Sequence, residues 1–159
     1  IQGTATRPAA EGDYYASVLQ NAGAYDGAPL GVGDFGFTGF DRIYTFFSVA
    51  PNTQYTISFM HAGDDRFGYT ADTSVVEVVD ADTNLTITQE MFATPGLFDW
   101  QMASFTFTTG ATTNNAAIAF TVMGSGNTSG MFDAISIVPA PGAAVLMGLG
   151  GLFATRRRR

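Results

Sequence analysis

A chain of 159 residues with 46% apolar and 13% aromatic side chains is one domain with a substantial core, too rich in rings to remain disordered. All seven basic residues are arginine and four of them are the final Arg156, Arg157, Arg158 and Arg159, so only Arg7, Arg42 and Arg66 offset 14 acidic residues elsewhere. Such an acidic body repels polyphosphate, which excludes nucleic acid as a partner, and the lack of cysteine excludes disulfides, thiolate metal sites and a cysteine nucleophile.

The chain opens Ile1-Gln2-Gly3-Thr4-Ala5, with neither an initiator Met nor a basic-then-apolar leader, which reads as a processed or truncated start. Up to residue 138 the sequence is polar-apolar alternation broken by turn residues. The β runs in chain order are Tyr14–Gln20, Ile43–Val49, Gln54–Ala62, Thr73–Asp80, Leu85–Met91, Trp100–Thr108, Ala116–Met123 and Met131–Val138. They are rich in Thr, Val, Ile, Tyr and Phe, and Gly, Asn, Asp and Pro separate them. Ala50-Pro51-Asn52-Thr53 and Asp80-Ala81-Asp82-Thr83 read as tight turns. The segment Ala22–Gly39, with Tyr25, Phe35 and Phe37, reads as a lid over a sheet edge or as spare apolar surface for an interaction. No stretch before residue 140 sustains a helical period, so residues 1–138 are expected to form an all-β, two-sheet sandwich.

Residues 139–159 obey other rules. Pro139-Ala140-Pro141 precedes an uncharged run of 14 residues, Gly142–Thr155, and the four arginines follow. The prolines suit the first turn of a helix. At about 1.5 Å per residue that helix reaches roughly 21 Å, short of the ~30 Å hydrocarbon core, and the arginines stay on the cytoplasmic side. A buried terminal helix, a permanent anchor and a transient membrane tether are the three readings. The last fits a short, glycine-rich span of this kind.

Val138-Pro139-Ala140-Pro141, the Gly/Ala/Leu stretch and Arg156–Arg159 together resemble the PEP-CTERM protein-sorting signal of Gram-negative bacteria. Ala140 stands where that signal usually has Glu. The resemblance implies an exported protein that is held at the inner membrane by its C-terminus. A membrane protease, exosortase, would process it there and pass it to the cell surface or an extracellular polysaccharide matrix.

Pro51-Asn52-Thr53-Gln54-Tyr55-Thr56-Ile57-Ser58-Phe59 resembles a hairpin of galactose-binding-like jelly rolls, a group that includes many carbohydrate-binding modules. Trp100 with Phe105-Thr106-Phe107, and Met131–Ile137, resemble that group's later strands. The group normally begins with one more strand, carrying Asn, Phe and Glu, that this sequence does not show. The resemblance implies a jelly-roll fold and a polysaccharide partner.

Strand parity then sorts the candidate ligand residues. Ala103, Phe105 and Phe107 share one face, which puts Trp100 on the other, either as a platform for a sugar ring or as a cap on the edge of the core. The loop Gly63–Tyr69 gathers Asp64, Arg66 and Tyr69, where Arg66 suits sugar hydroxyls and Tyr69 suits stacking; the alternative is a solvated turn. Asp133 shares parity with Ile135 and Ile137 and is expected to point inward, so it needs a cation, backbone N–H donors or Arg42. In the modules resembled, an Asp here often binds a structural Ca²⁺; Glu11 and Asp13 are the matching partners. His61, the single histidine, reads as structural, and adjacent Asp64 and Asp65 point to opposite faces, so they do not form a glycosidase pair. The sequence therefore reads as non-catalytic and polysaccharide-binding, with a self-assembling matrix protein and a polysaccharide-active enzyme as the alternatives.

Overall fold

A computed structural model of the chain describes residues 9–12, 14–20, 42–64, 71–124 and 128–140. Among these there is no helix. Eight strands form: β1 (Ala16–Gln20), β2 (Ile43–Ser48), β3 (Gln54–Gly63), β4 (Thr73–Asp80), β5 (Leu85–Ala93), β6 (Gln101–Thr108), β7 (Asn115–Met123) and β8 (Thr128–Pro139). They build two antiparallel four-stranded sheets, β1-β8-β3-β6 and β2-β7-β4-β5, so the all-β sandwich read from the sequence is the fold. The expected C-terminal helix over 142–155, the loop Ala22–Gly39 and the terminal arginines lie outside the described residues. No helix among the described residues is long and apolar enough to cross a membrane.

The inner faces of both sheets make one core. Ile57, Phe59, Phe107 and Phe132 from the first sheet meet Val76, Val78, Ile118, Phe120 and Val122 from the second. Aromatic edges lock it: Phe59 stands 5.4 Å from Phe120, 5.5 Å from Phe92 and 6.2 Å from Phe132 between ring centroids. Burying one such phenylalanine stabilises by roughly 1.5–3 kcal/mol.

The turns use the chemistry the sequence offered. Asn52 (φ 49°) and Asn84 (φ 62°) take left-handed backbone, which asparagine tolerates better than most residues. The Asp80 carboxylate caps the β4–β5 turn by accepting the Asp82 and Thr83 N–H groups at 2.9 and 3.0 Å, and it also takes the Thr113 hydroxyl. Asp82 then accepts the Asn114 and Asn115 N–H groups at 2.7 and 3.0 Å, tying this hairpin to the loop before β7.

Burial acts to raise the Asp80 carboxyl, but the bonds from Thr113, Thr83 and Asp82 outweigh it and hold it below its ordinary 3.8. The Asn115 side chain, with the Asn114 and Asn115 N–H groups, likewise lowers Asp82.

Candidate functional site

Asp133 corrects the parity argument. Ala134 has φ 49°, and the β3–β8 register shifts between Ser58 and Met60, so β8 carries a bulge at Ala134 and Ile135. The extra residue resets the alternation. Phe132 and Ile137 both face the core, whereas Asp133 pairs with Met60 on the outer face and Ile135 is 41% exposed.

The Asp133 carboxylate is met by backbone. Ala10 and Glu11 donate their N–H groups to Oδ2 at 2.8 and 2.9 Å, and Ala134 donates to Oδ1 at 2.8 Å. These N–H dipoles direct their positive ends at the oxygens a cation would need. No group of three or more His, Cys, Asp or Glu suited to a metal occurs among the described residues, and Asp13 lies outside them.

Around that clasp the N-terminal segment covers the outer face of the first sheet. Tyr15, Ala62 and Met131 form a second, smaller buried cluster, with Ala9, Phe98 and Trp100 packed on it. Trp100 is on the face that parity assigned, but it is half-buried and meets Tyr15 edge to face at 5.9 Å. Asp64 has no exposed surface: its Oδ2 accepts the Ser17 hydroxyl at 2.9 Å, and its backbone C=O accepts the Ser129 hydroxyl at 2.8 Å. The structure thus brings Trp100, Asp64, Asp133 and Glu11 to one face, in packing and capping roles. Arg66 and Tyr69 lie outside the described residues.

His61 sits at the end of β3 with Nδ1 3.0 Å from Ser74 Oγ on β4, and Ser74 Oγ is 3.1 Å from Thr94 Oγ1. A Ser–His contact has the form of a nucleophile pair. Here, however, Ser74 is fully buried, His61 is 4% exposed, and Phe59 and Phe92 flank the ring. Burial lowers the His61 pKa from its ordinary 6.5, so the imidazole is neutral at pH 7 and joins the two sheets through its hydrogen bond.

Exposed rings stand elsewhere, on β2 at the edge of the β2-β7-β4-β5 sheet. Ile43 and Phe47 turn toward the core, which leaves Tyr44 and Phe46 on the other side at 44% and 55% exposure. The cross-strand rows there are Tyr44-Ala119-Glu77-Gln89 and Phe46-Ala117-Val79-Thr86. Ala117, Ala119, Glu77 and Val79, the middle of both rows, are all buried, whereas Tyr44 and Phe46 stand exposed along one rim and Met91 is exposed on the opposite strand.

The Tyr44 and Phe46 rings stand 5.8 Å apart at 85°, so each fixes the other's orientation. On the floor Glu77 is 3% exposed and accepts the Thr86 hydroxyl at 2.6 Å. Two exposed rings on an edge strand suit the C–H face of a flat, hydroxyl-rich ligand. Sequence parity missed this pair because aromatic residues lie on both faces of the strand, Tyr44 and Phe46 on one and Phe47 on the other. The available signal was Ala117 and Ala119, two small residues at alternate positions of a long strand.

No protein-family model and no curated protein sequence matches the chain. Among solved structures, a family 4 carbohydrate-binding module superposes with a TM-score of 0.53 at 20% identity over 64% of this chain. This chain spans 62% of that module's length. A family 61 carbohydrate-binding module, solved in complex with beta-1,4-galactotriose, superposes with a TM-score of 0.52 at 15% identity over 82% of this chain and 74% of its own. The likeness is one of fold: this sandwich has the jelly-roll architecture of those modules.

Proposed function

We propose that the chain is a non-catalytic polysaccharide-binding module, and that the exposed β2 rim of the β2-β7-β4-β5 sheet holds the sugar. The observation that carries the reading is the exposed, mutually oriented Tyr44–Phe46 pair. A pyranose stacks its C–H face on one ring, and hydroxyls along the rim bind its edge. The family 61 module's galactotriose supports a glycan as the ligand class. Buried carboxylates such as Asp64, Glu77 and Asp80 are engaged by hydroxyl groups, which supports a binding role over hydrolysis.

In the same proposal, residues 139–159 deliver the module to the surface. The apolar run holds it in the inner membrane, an exosortase-type protease cuts near Pro139 and Pro141, and the module joins an extracellular polysaccharide. Weighing the surface-released protein from a host with an exosortase tests this part: retention of residues 142–159 would overturn it.

Affinity electrophoresis and calorimetric titration against neutral and acidic polysaccharides test the sugar site. Tyr44→Ala and Phe46→Ala are expected to weaken binding at least tenfold, about 1.4 kcal/mol, with melting nearly unchanged. Binding that survives both substitutions would refute this choice of face.

A further inference from the structure

The two sheets have four edge strands, and among the described residues only one is both long and unguarded. Strand β1 has five residues and β2 has six, directly after Arg42. Strand β5 has nine, but it carries Glu90 on its core-facing parity, opposite Val76, and its register with β4 is broken between Val78 and Val79. Inward-facing charges and bulges are devices that keep an edge from pairing with another chain. Strand β6 has none of these. Its eight residues, Gln101–Thr108, include no charge and no proline, and its register with β3 runs unbroken from Gln54↔Thr108 to His61↔Gln101.

The backbone of β6 can be assigned residue by residue. Thr109 donates its N–H to the Thr53 C=O at 3.1 Å, which sets the phase of the antiparallel ladder. Phe107, Phe105, Ala103 and Gln101 therefore bond to β3, and Met102, Ser104, Thr106 and Thr108 turn their N–H and C=O groups to the open edge. The side chains of those four stand exposed on the outer face, Met102 at 76%. Among the described residues β6 pairs with β3 alone.

We propose that β6 is a self-association edge: two copies of this chain pair β6 with β6 antiparallel, about a two-fold axis at Phe105, and join their sheets into one. Pairing that keeps core-facing residues on one side requires like parity across the seam. The longest such overlap sets Met102 against Thr108, Ser104 against Thr106, Ala103 against Phe107, and Phe105 against its copy. It forms about eight main-chain hydrogen bonds, two for each of the outward-bonding pairs.

The fit favours a second copy over an unrelated strand. Small Ala103 meets large Phe107, hydroxyl meets hydroxyl at Ser104 and Thr106, and the seam carries no charge in an otherwise acidic protein. Phe105, half-buried and 6.1 Å from Phe92, gains cover on its open side.

Sedimentation and light scattering of the full chain across a concentration series test the proposal. Thr106→Pro removes only an N–H that faces the edge and leaves the β3 ladder intact, so it is expected to weaken dimerisation by about tenfold or more. Ser104→Lys is expected to do the same, and Thr45→Lys, on the β2 edge, to leave the dimer unchanged.

The chain has no cysteine, so register can be read by oxidative cross-linking. Residues 104 and 106 of opposing copies would lie about 5.5 Å apart between Cα atoms, within disulfide reach. Ser104→Cys chains mixed with Thr106→Cys chains are expected to cross-link, and neither variant alone. This reading also holds if Thr106→Pro fails to fold. A monomer at every concentration, a dimer indifferent to Thr106→Pro and Ser104→Lys, or cross-linking by Ser104→Cys alone would overturn the proposal.

Discussion

Gly130 gives the sharpest quantitative test of the packing. It lies in the middle of its sheet, between Val18 of β1 and Gly63 of β3, and faces β7 across the core. A Cβ built there meets Val122 Cγ1 at 2.7 Å, and Val122 is fully buried. Gly130→Ala must therefore open the sheets locally by about 1 Å, since apolar carbon contacts sit at roughly 3.5–4.0 Å.

Overpacking of this kind costs about 1–3 kcal/mol, and the lower entropy of the unfolded alanine chain returns about 0.4–1 kcal/mol. The net loss is about 1–2 kcal/mol, or a melting temperature lower by roughly 3–8 °C for a domain of this size. Val122→Ala alone leaves a cavity and costs roughly 2 kcal/mol. In the double variant the new methyl enters the vacated space, so the two losses are expected to fall short of additive by about 1 kcal/mol. Circular dichroism during thermal and urea unfolding reads all three. An unchanged melting temperature for Gly130→Ala, or strict additivity in the double variant, would refute the argument.

Thr113→Val removes the hydroxyl that donates to Asp80 and accepts the Gly110 N–H at 3.1 Å; it is expected to cost about 1–3 kcal/mol in urea unfolding and to raise the Asp80 pKa. His61, lowered from 6.5 by burial, contributes stability that is complete above that value and is lost as pH falls below it. The lowered Asp80 and Asp82 act in the same sense below about 3.8. Melting temperature is thus expected to be flat above about pH 7 and to fall in two stages on acidification, with His61→Gln abolishing the first. Trp100→Ala is expected to cost about 2 kcal/mol while sugar binding at 20 °C persists; lost binding with unchanged melting would return Trp100 to the ligand site. Since three N–H groups already meet Asp133, Ca²⁺ and EDTA are expected to leave melting unchanged, and a calcium-dependent rise abolished by Asp133→Asn would overturn that assignment.

The strands were legible because local chemistry decided them. Thr73–Asp80 is bounded as the sequence suggested: β-branched residues dominate it, and Asp80 with the turn residues Ala81, Asp82, Thr83 and Asn84 ends it. The other strands agree to within three residues at either end, and the Pro51-Asn52 turn falls as read. What failed was any inference that carried parity through a hidden irregularity. Nothing about Ala134 announces left-handed backbone, yet its bulge moves Asp133 from the core to a surface clasp.

Likewise, no property of Tyr44 or Phe46 alone distinguishes them from Phe47. Only the identity of their neighbours on β7, fixed by pairing across more than 70 positions, shows which rings stand over small residues. Parity placed Trp100 on the face where it stands and Asp64 was read as part of a loop, but the burial of both depends on the N-terminal segment returning to cover them.

The strand order also bears on when the protein can fold. Strand β8 is the last of the eight in the chain, but it lies in the interior of its sheet, between β1 and β3. Until it emerges from the ribosome, β1 has no strand partner among the described residues, the core lacks Phe132, and the outer cluster lacks Met131. Nascent chains stopped before residue 128 should therefore remain protease-sensitive along their whole length instead of accumulating a folded N-terminal half. Emergence of β8, not growth of the early strands, is the event that closes this fold.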